Sequence, residues 1–240
     1  MDILCGGFPC QSFSVAGNTK GFEDIRGTLF FDIVRIAAHH QPRLIFLENV
    51  KNLTIHDGGR TMARVVGALA EIGYSVHHSV LCASHYGVPH ARERIFILAF
   101  RNDVAPVEFS FPSRTNQDVA LEDILVPDAE AAEFEVDVSG RVVEFAIGPQ
   151  FRLSLPYKIA KVGLGRQGER VYHPKGHPIT LSAGGGNIGG MTGLYYVNRK
   201  IRKLAPLECG RLMGFPDFFI RHKSVPQSYR HFGNSVVIDV

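Results

Sequence analysis

The apolar positions in the first hundred residues follow two different periods. Apolar residues at helical spacing, such as Leu29, Ile33 and Ile36, predict helices over residues 28–39 and 60–72, which Pro42 and Gly73 end. Apolar or alternating runs of strand length predict strands, at residues 3–4, 44–47, 75–82 and 95–100. This order of strands and helices predicts an α/β fold with a mostly parallel sheet.

The alternation stops after Phe111-Pro112. Residues 118–199 contain short strand-like pieces and many glycines, and helical sequence returns over residues 205–213. The glycines are densest between Leu181 and Gly193, where there are six. Such a composition is typical either of loops that approach a ligand closely or of a flexible linker, and the apolar residues on both sides favour the loops. The middle of the chain is therefore predicted to differ in structure from its beginning.

Composition narrows the class of protein. Of the 240 residues, 45% are hydrophobic and 20% are charged, as in ordinary soluble globular proteins. The sequence has no apolar run of membrane-spanning length and no basic region followed by an apolar core near Met1, so we predict neither a membrane span nor a signal peptide. The four cysteines are scattered, and Cys5 and Cys10 are poorly spaced for zinc ligands, which predicts a reduced cytoplasmic protein without a metal site.

The net charge of the chain is +3, but the charged residues are distributed unevenly along the sequence. Residues 115–150 contain nine acids and one base, whereas residues 151–203 contain ten bases and one acid. Two oppositely charged solvated faces are one explanation. The basic block is interleaved with glycine and tyrosine, however, and this favours a partner with a phosphate backbone.

Three groups of residues offer reactive chemistry. Cys10 lies in a Gly/Pro turn after the first strand, where a thiol can meet a substrate, although a lone cysteine is more often a small buried residue. Glu48 follows the buried strand at 44–47, and the carboxyl ends of parallel strands are where ligands bind, so Cys10 and Glu48 can face one pocket. The alternative interpretation is that Glu48 only caps the N-terminus of a helix. Arg92 and Arg94 precede the strand at 95–100, where they can clamp an anion or a carbonyl, or lie in water.

These groups occur in a fixed order with two further motifs, and together they resemble the DNA cytosine-5 methyltransferase family over essentially the whole chain. The matching segments are Gly7-Phe8-Pro9-Cys10-Gln11, Glu48-Asn49-Val50, Arg92-x-Arg94, Arg202-Lys203-Leu204-x-Pro206-x-Glu208-x-x-Arg211-Leu212-Met213-Gly214-Phe215-Pro216 and Gly233-Asn234-Ser235-Val236-Val237. The resemblance implies methyl transfer from S-adenosyl-L-methionine to C5 of a cytosine in double-stranded DNA. It also implies that the target cytosine is flipped out of the duplex, because a stacked base cannot be reached.

The same resemblance implies a role for each matched position. Cys10 is expected to add to C6 of the cytosine, Glu48 to act at N3, Arg94 near O2, and Arg92 near DNA or the catalytic loop. The cofactor is expected to contact Pro9, Leu29, Asn234 and Ser235. DNA is expected to contact Gln11, Ser14, Gln167, Arg170, Thr180 and Ser182. The last four are similar to recognition residues of a member that methylates GCGC, whereas Gly184 replaces a tyrosine of that pattern.

The implied fold is an incomplete Rossmann-like methyltransferase sheet with a small β-rich target-recognition domain. Residues 1–121 and 200–240 would form the catalytic domain, and residues 122–199 the recognition domain. Family members open with a Phe-x-Gly-x-Gly cofactor turn that the 240 residues do not contain, so we expect missing sheet strands and exposed apolar edges. The chain alone is expected to be inactive, as a truncated product or as one part of a split enzyme completed by an N-terminal polypeptide. A non-catalytic DNA-binding module is the alternative, and an unrelated cysteine hydrolase is disfavoured.

Overall fold

The computed structural model describes residues 1–8, 28–106, 108–115, 117–141, 143–145, 155–184 and 188–240. These residues divide into two compact units. The first unit comprises Met1–Leu81 and Glu93–Ser113, and the second comprises Cys82–Arg92 and Arg114–Val240. The three-part domain organisation predicted from the sequence stays a prediction.

The first unit contains four strands and two helices close to their predicted positions. They are β1 (Ile3–Gly7), α1 (Thr28–His40), β2 (Leu44–Val50), α2 (Arg60–Glu71), β3 (Tyr74–Cys82) and β4 (Glu93–Arg101). Helix α2 buries Met62, Val65 and Leu69, which recur at helical spacing. Gly73 ends this helix region with a φ of 91°, a backbone conformation that glycine adopts without strain, and its N–H donates to the Ala70 carbonyl.

The sheet of the first unit has the strand order β1-β2-β4-β3. Strands β1 and β2 are parallel, with Gly7 opposite Glu48, but β4 is antiparallel to β2. The expectation of a mostly parallel sheet is therefore wrong for β4. The reason lies in residues 83–92, which join β3 to β4 through a short 3₁₀ turn instead of the longer helical crossover that a parallel connection needs.

The core of the first unit lies between the central strands and the helices. Phe30, Ile45, Leu47, Ile95 and Ile97 are all fully buried. The outer strand β1 is different, because it pairs only with β2 among the described strands and leaves Ile3 55% exposed. The outer edge of β1 therefore has no neighbouring strand among the described residues.

The second unit is built on a five-stranded sheet of order β5-β6-β7-β8-β9. Its strands are β5 (Val143–Phe145), β6 (Lys158–Val162), β7 (Arg170–Tyr172), β8 (Leu194–Val197) and β9 (Lys200–Arg202). Its helices are α3 (Asp128–Ala131), α4 (Pro206–Leu212) and α5 (Val225–Asn234). All neighbouring strands are antiparallel except β7 and β8. A core around Tyr195, Leu204, Leu212 and Phe232 joins α4 and α5 to this sheet. None of the described helices has both the length and the apolar character needed to cross a membrane.

Candidate functional site

Glu48 lies near the carboxyl end of β2, beside Arg94 on the neighbouring strand β4. The antiparallel register places Arg94 opposite Val50, so Arg94 and Glu48 are diagonal neighbours on one face of the sheet. Arg94 Nε is 2.9 Å from Glu48 Oε1, and the two side chains are only 17% and 18% exposed. The sequence prediction that these two residues share a site is compatible with this geometry.

Partial burial and the mutual charge determine the environment of the Glu48–Arg94 pair. Burial lowers the pKa of the Arg94 guanidinium, and the negative charge of Glu48 opposes that shift. Oε1 of the carboxylate is engaged by Arg94 Nε at 2.9 Å, and Oε2 lies toward the backbone of Gly7. A charge-assisted contact of this kind holds the carboxylate in a fixed orientation.

Strand β1 brings the Gly7-Phe8 segment to this carboxylate. Gly7 is the parallel partner of Glu48, and a Cβ on Gly7 would lie 3.6 Å from Glu48 Oε2. The predicted nucleophile Cys10 follows Gly7 by three positions in the sequence. Cys10 lies outside the described residues, as do Pro9, Gln11 and Ser14, so their predicted roles stay predictions.

The side chain of Asn49 binds the backbone at Phe8. Its side chain is 3% exposed, and its Nδ2 donates to the Phe8 carbonyl over 2.7 Å. Its Oδ1 accepts from the Val50 N–H over 2.8 Å. The sequence analysis quoted Asn49 only as part of a motif and gave it no role. An amide at the end of a buried apolar strand was the available signal, because such a group must find partners inside the protein.

We predict that Asn49→Asp lowers the free energy of unfolding by about 1–3 kcal/mol, because a carboxylate cannot donate to the buried Phe8 carbonyl. Urea denaturation followed by circular dichroism measures this change. Asn102→Asp is the matched control, since the exposed Asn102 accepts from Ser75 through an oxygen that aspartate retains. Equal stability of the two variants would contradict the role of Asn49.

Arg92 has a different environment from Arg94. It is 4% exposed and belongs to the second unit, whereas Arg94 belongs to the first. Its guanidinium donates to the carbonyls of Leu181 (3.1 Å), Gly233 (3.2 Å) and Ser235 (3.0 Å). Among the sequence alternatives, the geometry excludes a solvated side chain, and the carbonyls that Arg92 binds belong to the protein's own backbone. A catalytic role for Arg92 stays a prediction.

The predicted recognition residues lie on two segments of the second unit. Gln167 opens a 3₁₀ turn that ends at Glu169, and Arg170 begins β7 with an exposed side chain. The Gly189 N–H donates to the Gly168 carbonyl, and a Cβ on Gly189 would lie 2.4 Å from that oxygen. One glycine of the glycine-rich stretch therefore permits a close approach to the turn that carries Gln167.

Thr180 and Ser182 use their hydroxyl groups within the protein. Thr180 Oγ1 donates to the Ala91 carbonyl over 2.9 Å, and Ser182 Oγ donates to the Gly184 carbonyl over 2.6 Å. Each hydroxyl oxygen still has acceptor capacity for another group. In this structure the two residues could therefore accept hydrogen bonds from DNA, but their protons are already engaged.

The predicted cofactor residues differ in how accessible they are. Leu29 is 50% exposed at the start of α1, and Asn234 is exposed at the end of α5. Ser235 donates its hydroxyl proton to the His231 carbonyl. The cavity that Ser235 borders has a volume of about 110 Å³, well below the about 300–1,000 Å³ of typical ligand pockets. This cavity is too small to enclose a cofactor, and the predicted cofactor contacts of Leu29, Asn234 and Ser235 stay predictions.

The acidic and basic blocks of the sequence partly neutralise each other. Lys161 pairs with Glu144 across β6 and β5, and Lys200 pairs with Glu135. Arg202 is buried against Glu208. Lys175, in contrast, is exposed and has no ion pair among the described residues. The basic surface that a phosphate backbone could meet is thus smaller than the count of ten bases indicates.

Comparison with known proteins gives a consistent match over the whole chain. The family model for C-5 cytosine-specific DNA methylases matches residues 1–240. The type II methyltransferase M.HhaI of Haemophilus parahaemolyticus is 47% identical over 244 residues, which cover 100% of this chain and 73% of that protein. M.HpaII of Haemophilus parainfluenzae is 37% identical over 255 residues, with coverages of 99% and 68%.

Solved structures confirm the predicted fold class. The S. pombe Dnmt2 methyltransferase superposes with a TM-score of 0.71 at 20% identity, over 99% of this chain and 75% of that one. A DNA modification methyltransferase encoded within an Escherichia coli prophage gives a TM-score of 0.67 at 19% identity, with coverages of 98% and 75%. The resemblance deduced from the motifs is likewise confirmed. The chain belongs to the C-5 cytosine-specific DNA methylase family.

Proposed function

We propose that this chain provides the catalytic and recognition residues of a restriction–modification methyltransferase that modifies C5 of a cytosine in a short GC-rich site, GCGC. The observation that carries the proposal is the partly buried Glu48–Arg94 ion pair, which lies against Gly7, three positions before Cys10 in the sequence. In this proposal residues 1–121 and 200–240 form the catalytic domain, residues 122–199 form the recognition domain, and the protein acts in the cytoplasm.

The proposed reaction uses Cys10 as nucleophile. Enzymes of this family use S-adenosyl-L-methionine, which supplies an electrophilic methyl group when bound. The Cys10 thiolate forms a bond from Sγ to C6 of the flipped cytosine, while Glu48 shares a proton with N3 and Arg94 lies near O2. The electron pair released to C5 would then form the bond to the methyl carbon, while the bond from that carbon to the sulfonium sulfur breaks and its electron pair stays on the sulfur. A water molecule would accept the proton from C5, the electron pair of that C–H bond would form the C5–C6 double bond, and the Sγ–C6 bond would break to restore the thiolate.

The cofactor would be held by Pro9, Leu29, Asn234 and Ser235 together with a glycine-rich turn on a separate polypeptide. One observation supports this partner. The outer edge of β1 has no strand partner among the described residues, with Met1 59% and Ile3 55% exposed. An open strand edge beside apolar side chains is suited to receive another strand.

The test is transfer of a labelled methyl group from S-adenosyl-L-methionine to duplex DNA. We expect no incorporation with this chain alone, and incorporation after a polypeptide carrying the glycine-rich turn is added. Bisulfite sequencing then locates the modified cytosines, and modification outside GCGC would contradict the proposed site. DNA binding without methylation in every mixture would favour the non-catalytic alternative instead.

Arg170 offers a prediction about sequence choice. A bidentate arginine contact to guanine is worth about 1–3 kcal/mol of discrimination, so Arg170→Ala should relax the choice of one guanine by about ten- to a hundredfold. Competition binding with duplexes that differ at one base pair measures this ratio. Lys175→Ala is the control, because a phosphate contact should weaken binding to all sequences about equally and reduce the salt dependence. An unchanged ratio in Arg170→Ala would contradict the assignment.

A further inference from the structure

Residues His90–Arg92 are joined to the segment Pro178–Leu181 by four hydrogen bonds within the second unit. The Ala91 N–H donates to the Pro178 carbonyl over 3.2 Å, and Thr180 Oγ1 donates to the Ala91 carbonyl over 2.9 Å. The Leu181 N–H donates to His90 Nε2 over 3.1 Å, and Arg92 donates to the Leu181 carbonyl over 3.1 Å. His90 is fully buried, so this contact is part of the interior of the unit.

The other side of Arg92 reaches the end of helix α5. Its Nη2 donates to the carbonyls of both Gly233 and Ser235, while Nη1 donates to Leu181. Gly233 itself has no space for a side chain, because a Cβ would lie 2.5 Å from both Ala183 N and Ser182 C. Three chain segments that are distant in sequence therefore meet at the Arg92 guanidinium.

We infer that His90 and Arg92 are positioning residues that set DNA sequence selection by fixing the backbone of residues 178–183 against residues 233–235. This inference rests on the proposed function, since residues 180 and 182 matter for selection only if the second unit reads DNA. Base recognition requires donors and acceptors held to within about 0.5 Å, which a short loop does not achieve without support. The engaged Thr180 hydroxyl is one of these supports.

The first test compares two variants of His90 in the full chain. His90→Gln offers an amide oxygen that can accept from the Leu181 N–H, whereas His90→Leu offers no acceptor. Each protein is incubated with a pool of duplexes randomised at four base pairs, and the bound DNA is sequenced. We expect His90→Leu to lose about tenfold in discrimination between the preferred site and its single-base changes, as lost order in a recognition segment implies. His90→Gln should keep discrimination within about twofold of the original.

The second test examines Arg92 without DNA. Arg92→Met should increase amide hydrogen exchange in residues 181–182 and at Ser235, because both segments lose their shared support. Arg211→Met is the matched control, since Arg211 also donates to a backbone carbonyl, that of Ile124, and contacts neither segment in the described hydrogen bonds. If Arg92→Met does not fold, the comparison of His90→Leu with His90→Gln tests the inference instead.

The outcomes separate the two proposals. If the unaltered chain enriches no sequence, the proposed function fails and the inference fails with it. If the unaltered chain selects a site and His90→Leu selects it equally well, the inference alone is overturned. A loss in His90→Leu that His90→Gln does not restore would also overturn it, because the effect would then come from general destabilisation and not from the missing acceptor.

Discussion

The Cys10→Ser variant is expected to lose methyl transfer by on the order of 10⁴-fold or more, while its affinity for DNA stays unchanged. A serine hydroxyl at neutral pH is a far weaker nucleophile than a thiol, so the bond to C6 would not form at a useful rate. The assay is labelled methyl transfer in the presence of the polypeptide that completes the enzyme. Normal methylation by Cys10→Ser would contradict the proposed reaction.

The other cysteines supply controls for this prediction. Cys5 is exposed on β1, five positions before Cys10, so Cys5→Ser tests whether loss of any accessible thiol reduces the rate. Cys209 is fully buried, and burial raises the pKa of its thiol well above the usual range, which makes it a poor nucleophile. Mass spectrometry on DNA containing 5-fluorocytosine should find a covalent adduct with Cys5→Ser and none with Cys10→Ser.

The second large effect concerns stability. Glu208 is fully buried at the start of α4 and accepts hydrogen bonds from both terminal nitrogens of Arg202 and from the N–H groups of Val126 and Ala205. We expect Glu208→Gln to lower the free energy of unfolding by about 3–5 kcal/mol, because it leaves the Arg202 charge buried without a counter-charge. Urea denaturation measures the loss.

Two comparisons test whether the ion pair is the cause. Asp217→Asn removes the partner of Arg211 at a surface pair whose carboxylate is 57% exposed, and should cost about 1 kcal/mol or less. Replacing Arg202 by methionine in the Glu208→Gln variant should recover part of the stability lost in Glu208→Gln, since no buried charge remains and the glutamine oxygen still accepts from a backbone N–H. A double variant less stable than Glu208→Gln would contradict this explanation.

The elements of the first unit could be predicted because their signals are local. The helices at Thr28–His40 and Arg60–Glu71 differ from their predicted ranges by one residue at one end, and β2 extends the predicted strand through Val50. Strand direction could not be predicted in the same way. It depends on whether the connection of residues 83–92 crosses the sheet or turns back, and apolar periodicity does not encode that choice.

The charge pattern shows a related limit. Counting bases between residues 151 and 203 favoured a phosphate partner, but Lys161 and Lys200 are paired with carboxylates from the acidic block. Lys161 pairs with Glu144 because β6 lies beside β5 in the sheet. Lys200 pairs with Glu135, which is 65 positions away in the sequence. The remaining exposed bases, such as Lys175, are the better candidates for phosphate contact.

By itself, the sequence determined the family and the residue types that its reaction needs. Cys10, Glu48 and Arg94 are proposed as nucleophile, proton-sharing carboxyl and cation because they occur in motifs whose order can be read directly from the sequence. Only the tertiary structure decided how Asn49, His90 and Arg92 act, since their partners lie 41, 91 and up to 143 positions away. Buried polar groups must be satisfied, but the sequence does not specify which distant backbone groups satisfy them, because packing brings those groups together.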